Sequence, residues 1–416
     1  MTLRARLQTA LQQPVRDRPV LPRESVTERD DLAGLGGRWF ETRLGPAYVI
    51  ESVYESGHLH GSVPLHRALT LNLGTIAQQC REPRLATCDP RRLLFIDTET
   101  TGLAGAGAMV FLTGVAQFVG GCLRLRQYLL PSPEYEVGVL GELADEIAGA
   151  GALVSYNGKS FDLPMLESRY VLARLEPRLR DIPHLDLLHP NRRLFRGSLP
   201  SHRLVELETA LLDFEREDDC PSHEVPLRYI AFQRTGDPTH IRPVLRHNAW
   251  DVLSLVALTA QLAAACAGES GPLQAARAAA YAGDLARAAE RYEAVVAEGA
   301  SRAERLEAME AAARCHQRLK QYEAAATLWR ALIAEPRARR LTPYVELAKI
   351  LEHRQHDIEG ALALIEEATT LVRRGLLRPG SSAAGVDVAA LEHRHERLLR
   401  KRERQLKNAA AAPRGS

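Results

Sequence analysis

Short apolar runs separated by glycines dominate the chain between residues 90 and 130. The runs LLFID, AMVFLTGVAQFV and LRLRQYLL, at 93–97, 108–119 and 123–130, are rich in residues that favour β-strands. The third run begins with alternating residues, which place Leu123, Leu125 and Gln127 on one face of a strand. Because glycines between such runs indicate turns, the pattern predicts three adjacent strands in a meander.

Beyond residue 135 the periodicity changes from strand to alternating helix and strand. VGVLGELADEIAGAG at 137–151 and FDLPMLESRYVLARL at 161–175 have amphipathic helical spacing, and ALVSYNG at 152–158 indicates a buried strand. HNAWDVLSLVALTAQLAAAC at 247–266 predicts a long apolar helix. Together these elements predict an α/β fold with a mixed sheet. Before residue 90, AYVIESVY at 47–54 is a candidate for further strand structure.

After residue 268 the composition shifts to Ala, Glu, Arg and Leu, which predicts an all-α region. Three similar segments, DLARAAERYEAVV, QYEAAATLWRALI and DIEGALALIEEAT, begin at Asp284, Gln321 and Asp357, 37 and 36 residues apart. Each follows another helical stretch and a short turn. Paired helices with this period resemble tetratricopeptide repeats, and a plain helical bundle is the alternative. A basic helix near the end is a candidate cap for the stack.

The overall composition adds little to this picture. The chain of 416 residues is 45% hydrophobic and 25% charged, with a formal net charge of +2, so no charge excess announces a partner. Six cysteines form no CxxC pair, which favours reduced thiols in a cytoplasmic protein. No secretory signal is evident, and the apolar stretches at 100–123 and 252–268 are interrupted by glycines or too short, so we expect no membrane partner.

Candidate chemistry begins with Asp97 and Glu99, in the sequence LLFIDTETTGL at 93–103. In a strand, residues i and i+2 point to the same face, so both carboxylates project together. Like charges that close repel, unless a cation lies between them or an arginine or helix N-terminus compensates them. Hard oxygen ligands suit Mg²⁺ or Mn²⁺. The pair alone leaves both explanations open.

Two later segments also carry polar residues, in both cases near the start of a predicted helix. In SYNGKSFDLPML, Asp162 lies in the first turn of a predicted helix, five residues after Asn157, where the helix dipole stabilises a carboxylate. In RHNAWDVLSL, His247 and Asp251 are four residues apart and share a helix face. Each segment by itself is equally compatible with a satisfied polar group in the core.

Taken together, the three segments resemble the DEDD superfamily of 3′→5′ exonucleases, which have a ribonuclease H-like fold. The resemblance rests on DTETTGL, NGKSFD and HNAWD, in this order, and covers about residues 90–265. It implies two divalent metal ions, Mg²⁺ or Mn²⁺, held by Asp97, Glu99, Asp162 and Asp251, with His247 as general base. It also implies contacts to the terminal nucleotide from Thr101, Gly102, Leu103, Asn157 and Lys159.

One departure concerns His247, which precedes Asp251 by four residues. The histidine-type exonucleases of the superfamily usually place it five residues before, and Arg246 stands there in this chain. Since four residues make about one helical turn, His247 still lies beside Asp251. A helix therefore still allows His247 to act as the base beside Asp251.

More of the chain resembles a narrower bacterial set, the YprB/MrfB-like group, which joins this nuclease domain to C-terminal tetratricopeptide repeats. The segments YNGKSFDLPML, HLDLLHPNRRLF, RTGD and HNAWDVLSL carry this likeness. HLDLLH adds Asp186, His184 and His189, which are expected near the site or at a strand-end turn. The likeness implies DNA repair, a substrate of single-stranded or 3′ DNA ends, and a protein partner bound through the repeats, such as a repair helicase.

The expected organisation is therefore an α/β ribonuclease H-like mixed sheet flanked by helices, followed by an all-α tetratricopeptide-like repeat domain. The expected boundaries are an N-terminal extension at 1–89 packed on the nuclease domain, the exonuclease domain at 90–268, the repeats at 269–376, and a basic helix and tail at 377–416. Two alternatives to DNA exonuclease activity remain. They are an exoribonuclease of the same chemistry, and a repeat scaffold whose nuclease domain is catalytically weak.

Overall fold

The computed structural model describes residues 32, 34–102, 108–176, 179–298, 300–335, 340–377 and 388–411. Within these ranges the strands form one seven-stranded and one two-stranded sheet. The strands are β1 Arg38–Thr42, β2 Gly45–Tyr54, β3 Leu59–His60, β4 Val63–Pro64, β5 Leu93–Thr100, β6 Val110–Val119, β7 Cys122–Leu129, β8 Ala152–Ser155 and β9 His184–Asp186.

The large sheet is mixed, in the order β1-β2-β7-β6-β5-β8-β9. The neighbours from β1 to β5 pair antiparallel, whereas β8 pairs in parallel with both β5 and β9. The predicted meander is present as β5, β6 and β7, and the candidate strand at 47–54 lies within β2. Residues 38–54, expected to belong to an extension packed on the domain, supply two strands of the sheet itself.

Strand β5 carries the first motif through the centre of the sheet. Its alternate side chains enter two hydrophobic cores on opposite faces: Leu94 and Ile96 pack in one, and Leu93 and Phe95 in the other. All four are fully buried. An uninterrupted apolar run is what a strand covered on both faces requires. Such a strand is a rigid support for the carboxylates that follow it.

Helices cover the sheet and continue beyond it. The helices of the described residues are α1 Leu73–Cys80, α2 Glu136–Gly149, α3 Asp162–Leu172, α4 Leu188–Leu194, α5 Leu204–Leu207, α6 Val225–Thr235, α7 Pro238–Ala267, α8 Pro272–Ala282, α9 Leu285–Ala297, α10 Arg302–Arg318, α11 Tyr322–Ala334, α12 Thr342–Ile350, α13 Ile358–Arg373 and α14 Val388–Ala411. Short π-helical turns, Glu208–Leu212 and Leu351–Gln355, continue α5 and α12.

Helix α7 is the central helix of the first region and carries the third motif. It begins at Pro238, where the Asp237 side chain accepts a hydrogen bond from the Thr239 N–H at 2.9 Å, and ends before Gly268, whose φ is 105°. Of the described helices, it alone has the length and apolar composition that crossing a membrane would require, and 78% of that apolar window is buried within the protein. It packs as a core helix against β5, β6 and the π-helical turn after α5.

Helices α8–α13 form three consecutive pairs, and the second helix of each pair corresponds to one of the three similar sequence segments. Helix α9 is capped by Asp284 and α13 by Asp357, at equivalent positions of those segments. Trp329 of α11 is fully buried between neighbouring helices. The period in the sequence is thus a period of helix pairs in the structure.

The two regions meet at α8. Ala278 packs in the same core as the apolar residues of α7, while Leu273 packs with α9 and α10. The Gln79 side chain donates to the Ala278 carbonyl at 3.0 Å, and Arg277 donates to the Leu194 carbonyl at 2.6 Å. Helix α8 therefore belongs to both cores.

Candidate active site

Asp97 and Glu99 leave β5 side by side, as the two-residue period predicted. Their strand has an irregular register after Glu99, which pairs with Leu112 while Thr100 pairs with Val110. Burial raises the pKa of both carboxyls well above their usual values, and the charges of Asp251 and Asp162 raise them further. In the absence of a cation, the site thus disfavours the charged forms of its own acids.

Asn248 supports Asp97 from helix α7. Its amide donates to Asp97 Oδ2 at 2.9 Å, and its own Oδ1 accepts a bond from Gln127 at 3.0 Å. A Cβ at Gly114 would lie 2.3 Å from Asn248 Oδ1, so only glycine lets α7 approach β6 this closely. The buried Gln127 of the alternating run has its function here, as a link between β7 and α7.

Asp162 is the first residue of α3, as predicted, and it is buried. The backbone N–H and the hydroxyl of Thr98 donate to its Oδ1 at 3.1 and 2.5 Å. Burial raises the pKa of Asp162 to about 6, while the Thr98 bonds act in the opposite direction. Thr98, which lies between the two acids of β5, therefore links the first motif to the second.

His247 and Asp251 lie one turn apart on α7, and both are buried. His247 Nε2 is 3.5 Å from Asp251 Oδ2 and 3.8 Å from Glu99 Oε1. Ligand atoms of Glu99, His247 and Asp251 all lie within 4.8 Å of one another. The spacing of four residues thus brings the imidazole to the carboxylates.

Three charged residues that sequence analysis did not single out complete the cluster. The Arg216 guanidinium is 3% exposed and binds Glu208 through Nε and Nη2 at 2.7 and 2.5 Å. It also donates to Asp251 Oδ1 and, at 3.2 Å, to Asp219 Oδ2. Asp219 Oδ1 in turn lies 2.7 Å from His247 Nδ1. These residues belong to the stretch 208–219, whose run of charges at 213–219 resembles an ordinary solvated loop.

The loop after β8 carries the expected substrate contacts Asn157 and Lys159. Both side chains are exposed, and Asn157 has a left-handed φ of 64°. Asp186 fixes this loop, because its carboxylate accepts bonds from the N–H groups of Asn157 and Lys159 at 2.9 and 3.2 Å. The pKa of Glu82 is lowered mainly by its bond to Arg84, and that of His184 mainly by burial. The positive charge of Lys159 adds to both shifts. Asp186, at the end of β9, therefore fixes the backbone of the loop that leads to Asp162.

His184 and His189 lie outside the acidic cluster. His184 Nε2 bonds to Ser155 Oγ at 2.8 Å, and burial lowers its pKa to about 4. His189 is exposed on α4. Neither residue contributes a donor to the group formed by Glu99, His247 and Asp251.

The third expected substrate segment follows β5. Thr101 exchanges two hydrogen bonds with Met109, one through each backbone N–H, both at 2.9 Å. The Thr100 hydroxyl donates to the Gly102 carbonyl at 2.8 Å. Thr101 and Gly102 thus form an ordered turn beside Glu99, and Leu103 lies outside the described residues.

This donor set fits divalent cations. Four carboxylates from β5, α3 and α7 meet at a place where burial, and after it their mutual repulsion, raises the pKa of Asp97 and Glu99. Hard cations with oxygen ligands would remove that repulsion. Arg216 contacts one of the four, Asp251, and its bidentate bond goes to Glu208 outside the set. The Arg216 charge lowers the pKa of Glu99 in part, but burial and the neighbouring acids still hold it well above its usual value.

Parts of the chain are similar to a known family and to known proteins. Residues 94–263 match the RNase_H_2 family of the RNase_H superfamily. The chain is 39% identical over 168 residues to the uncharacterized protein YprB of Bacillus subtilis (strain 168), a match that spans 40% of each chain. A family B DNA polymerase from the archaeon Pyrobaculum calidifontis matches 48% of this chain and 28% of its own, with 18% identity and a TM-score of 0.35. The expected ribonuclease H-like mixed sheet and helical C-terminal region are confirmed.

Proposed function

Because residues 94–263 match the RNase_H_2 family of the RNase_H superfamily, we propose that the protein is a metal-dependent 3′→5′ exonuclease acting on DNA ends. The observation that carries the proposal is the meeting of Asp97, Glu99, Asp162 and Asp251 beside His247. These five residues come from three separate elements and converge on one site. A structural role alone gives no reason to cluster four acids, two of them buried and two half-buried, in one place.

The four carboxylates would hold two divalent cations, Mg²⁺ or Mn²⁺. When bound, such cations polarise the scissile phosphate and a water molecule. Neutral His247 accepts a proton from the attacking water at Nε2, the atom that faces Glu99 and Asp251. The new phosphorus–oxygen bond forms as the bond to the 3′ oxygen breaks, which releases a nucleoside 5′-monophosphate.

The surroundings of the site suggest how a strand end would bind. Thr101 and Gly102 form the turn next to Glu99, and Asn157 and Lys159 lie exposed on the loop next to Asp162. Those two segments, with Leu103, would contact the terminal nucleotide and its phosphate. Lys159 offers the positive charge that a phosphate requires. RNA is the second candidate substrate, because these contacts do not by themselves select against a 2′-OH.

The biological setting is a further part of the proposal. We propose that the protein acts in the cytoplasm, in DNA repair. In this proposal the helix pairs α8–α13 are tetratricopeptide-like repeats. They would bind a protein partner such as a repair helicase. Stacked helix pairs offer an extended surface suited to such a partner. If the nuclease domain is catalytically weak, the same surface would make the protein a scaffold.

Digestion of matched oligonucleotides tests the proposal directly. Single-stranded DNA carrying a label at its 5′ or its 3′ end is incubated with Mg²⁺, Mn²⁺ or EDTA, beside RNA of the same sequence. We expect a ladder of shortening products from the 5′ label and immediate release of a labelled mononucleotide from the 3′ label, both abolished by EDTA. Asp97→Asn is the inactive control. Reversed polarity would contradict the proposal, and so would inertness on DNA with either metal; activity on RNA alone would favour the exoribonuclease.

A further inference from the structure

The segment at 213–220 brings two charged side chains into the site from outside the three motifs. Arg246 donates to the Asp218 carbonyl, and the Cys220 N–H donates to Asp219 Oδ1 at 2.8 Å, so the segment is bonded on both sides of Asp219. Cys220 itself is buried in the core that contains Tyr229. Asp219 is thus presented to α7 by an anchored stretch of backbone.

His247 Nδ1 has two possible partners in this arrangement. Asp219 Oδ1 lies at 2.7 Å and accepts hydrogen bonds only, whereas Arg216 Nη1 lies at 3.2 Å and only donates. The two contacts demand opposite tautomers, because the carboxylate requires a proton on Nδ1 and the guanidinium requires a lone pair there. A short bond to a charged acceptor is the stronger of the two.

We propose that Asp219 is a positioning residue that fixes the tautomer and the orientation of His247. Asp219 accepts a hydrogen bond from Nδ1–H and so leaves the Nε2 lone pair facing Glu99 Oε1 and Asp251 Oδ2, which lie 3.8 and 3.5 Å away. This inference deepens the proposed function, on which the catalytic meaning of Nε2 rests.

Arg216 has a separate part in the same arrangement. It bonds to Asp219 Oδ2 and to Asp251 Oδ1, and leaves one oxygen of each carboxylate directed at His247. Glu208, with a fully buried side chain, binds the other side of Arg216, and Ser254 donates to Glu208 Oε1 at 2.6 Å. Because its partners hold the guanidinium on several sides, Arg216 sets the rotamers of both acids.

The test measures the tautomer of His247 in the full-length chain. It is read from ¹⁵N–¹H correlations of the imidazole in protein labelled at histidine. His247→Gln identifies which signals belong to His247. We expect Nδ1–H in the wild type. In Asp219→Ala, the remaining contact is the Arg216 donor, so the proton should move to Nε2. A nearby exposed acid two residues before Asp219 supplies the matched control, Glu217→Ala, which should leave the wild-type spectrum unchanged. A wild-type Nε2–H tautomer would overturn the inference, even if Asp219→Ala failed to fold.

Kinetics give a second, independent outcome. With Mn²⁺ affinity measured by calorimetry, Asp219→Ala should retain metal binding within about twofold and lose cleavage rate by about 10²-fold, as expected for a misplaced general base. An unchanged rate in a variant with the Nε2–H tautomer would overturn the catalytic part of the inference. If the wild type cleaves no nucleic acid, the proposed function fails, while the spectrum still decides whether Asp219 sets the tautomer.

Discussion

At the scale of single residues, the site depends on charge as much as on shape. Asn at Asp97, Asp162 or Asp251, or Gln at Glu99, keeps the volume and removes one negative charge. Since two divalent cations need these charges, we expect a rate loss of about a hundredfold or more for each substitution. A double variant should lose far less cleavage rate than the product of the two single losses, because the acids act as a unit.

Single-turnover cleavage of single-stranded DNA with Mg²⁺ or Mn²⁺ measures these losses. Asp145→Asn, at an exposed position on α2, is the matched control and should keep full activity. Full activity in Asp97→Asn or Asp251→Asn would be incompatible with a metal site formed by the four carboxylates.

Asp162 also gives a residue-scale prediction about stability and pH. Its pKa of about 6 lies above the unfolded value of about 3.9, so burial of the charge costs stability. That cost is fully present above about pH 6, shrinks as pH falls below the folded pKa, and disappears only below the unfolded pKa of about 3.9, where the acid is protonated in both states. Metal-free Asp162→Asn should therefore be more stable than the wild type at pH 8 by up to about 3 kcal/mol, at about 1.4 kcal/mol per pKa unit.

Urea unfolding in EDTA at pH 8 and pH 4.5 checks the sign of this difference in unfolding free energy between Asp162→Asn and the wild type. The difference should fall from about 3 to about 1 kcal/mol at the lower pH, because Asn can still accept both Thr98 bonds through its carbonyl oxygen and only the charge term changes. A variant that is less stable at pH 8, or a difference that does not change with pH, would argue against a buried charged carboxyl.

At the scale of elements, one buried glutamate bonds the last helix to the helix pairs, in addition to the apolar packing of Leu391 and Leu398. The Glu352 side chain is fully buried and accepts bonds from Arg394, Arg397 and Lys401 of α14 at 3.2, 2.6 and 2.8 Å. Because Glu352→Gln leaves three cations facing a neutral amide, we expect a loss of about 1–3 kcal/mol of unfolding free energy. Limited proteolysis should then release α14 first, while cleavage of oligonucleotides stays unchanged.

Glu359→Gln provides the comparison for that experiment. Glu359 is 69% exposed and lies 3.9 Å from Arg402, so its pair should contribute little. If both variants had the same proteolysis pattern as the wild type, Glu352 would not be what attaches α14.

At the scale of the whole molecule, the place where a truncation ends decides its outcome. A chain ending at Gly268 removes α8, whose Ala278 completes the core beneath α7, so we expect it to be markedly less stable than the full chain. A chain ending at Glu298 keeps α8 packed against α9 and should retain both metal binding and activity on free oligonucleotides. Thermal unfolding, Mn²⁺ calorimetry and oligonucleotide digestion compare the two. A folded, metal-binding chain ending at Glu298 without activity would mean that the later helix pairs help to bind the strand.

The sequence by itself determined those features that depend on short periods. A two-residue period brought Asp97 and Glu99 to one face of β5, a four-residue spacing brought His247 beside Asp251, and an apolar run gave the central strand. It also gave the helix pairs, because their repeat of 37 and 36 residues is visible without any long-range contact. In each case the backbone geometry of one element relates spacing to position.

Only the tertiary structure decided which charges meet. Arg216 and Asp219 belong to a run of charges that predicts a solvated loop, yet they bond to Asp251 and His247, 35 and 28 residues further along the chain. Likewise, β1 and β2 join the sheet through β7, with Tyr48 opposite Leu129, far along the chain from the strand that carries the first motif. No local period encodes such contacts, since they arise from chain closure and from the free energy of burying and compensating charge at the place where the elements pack.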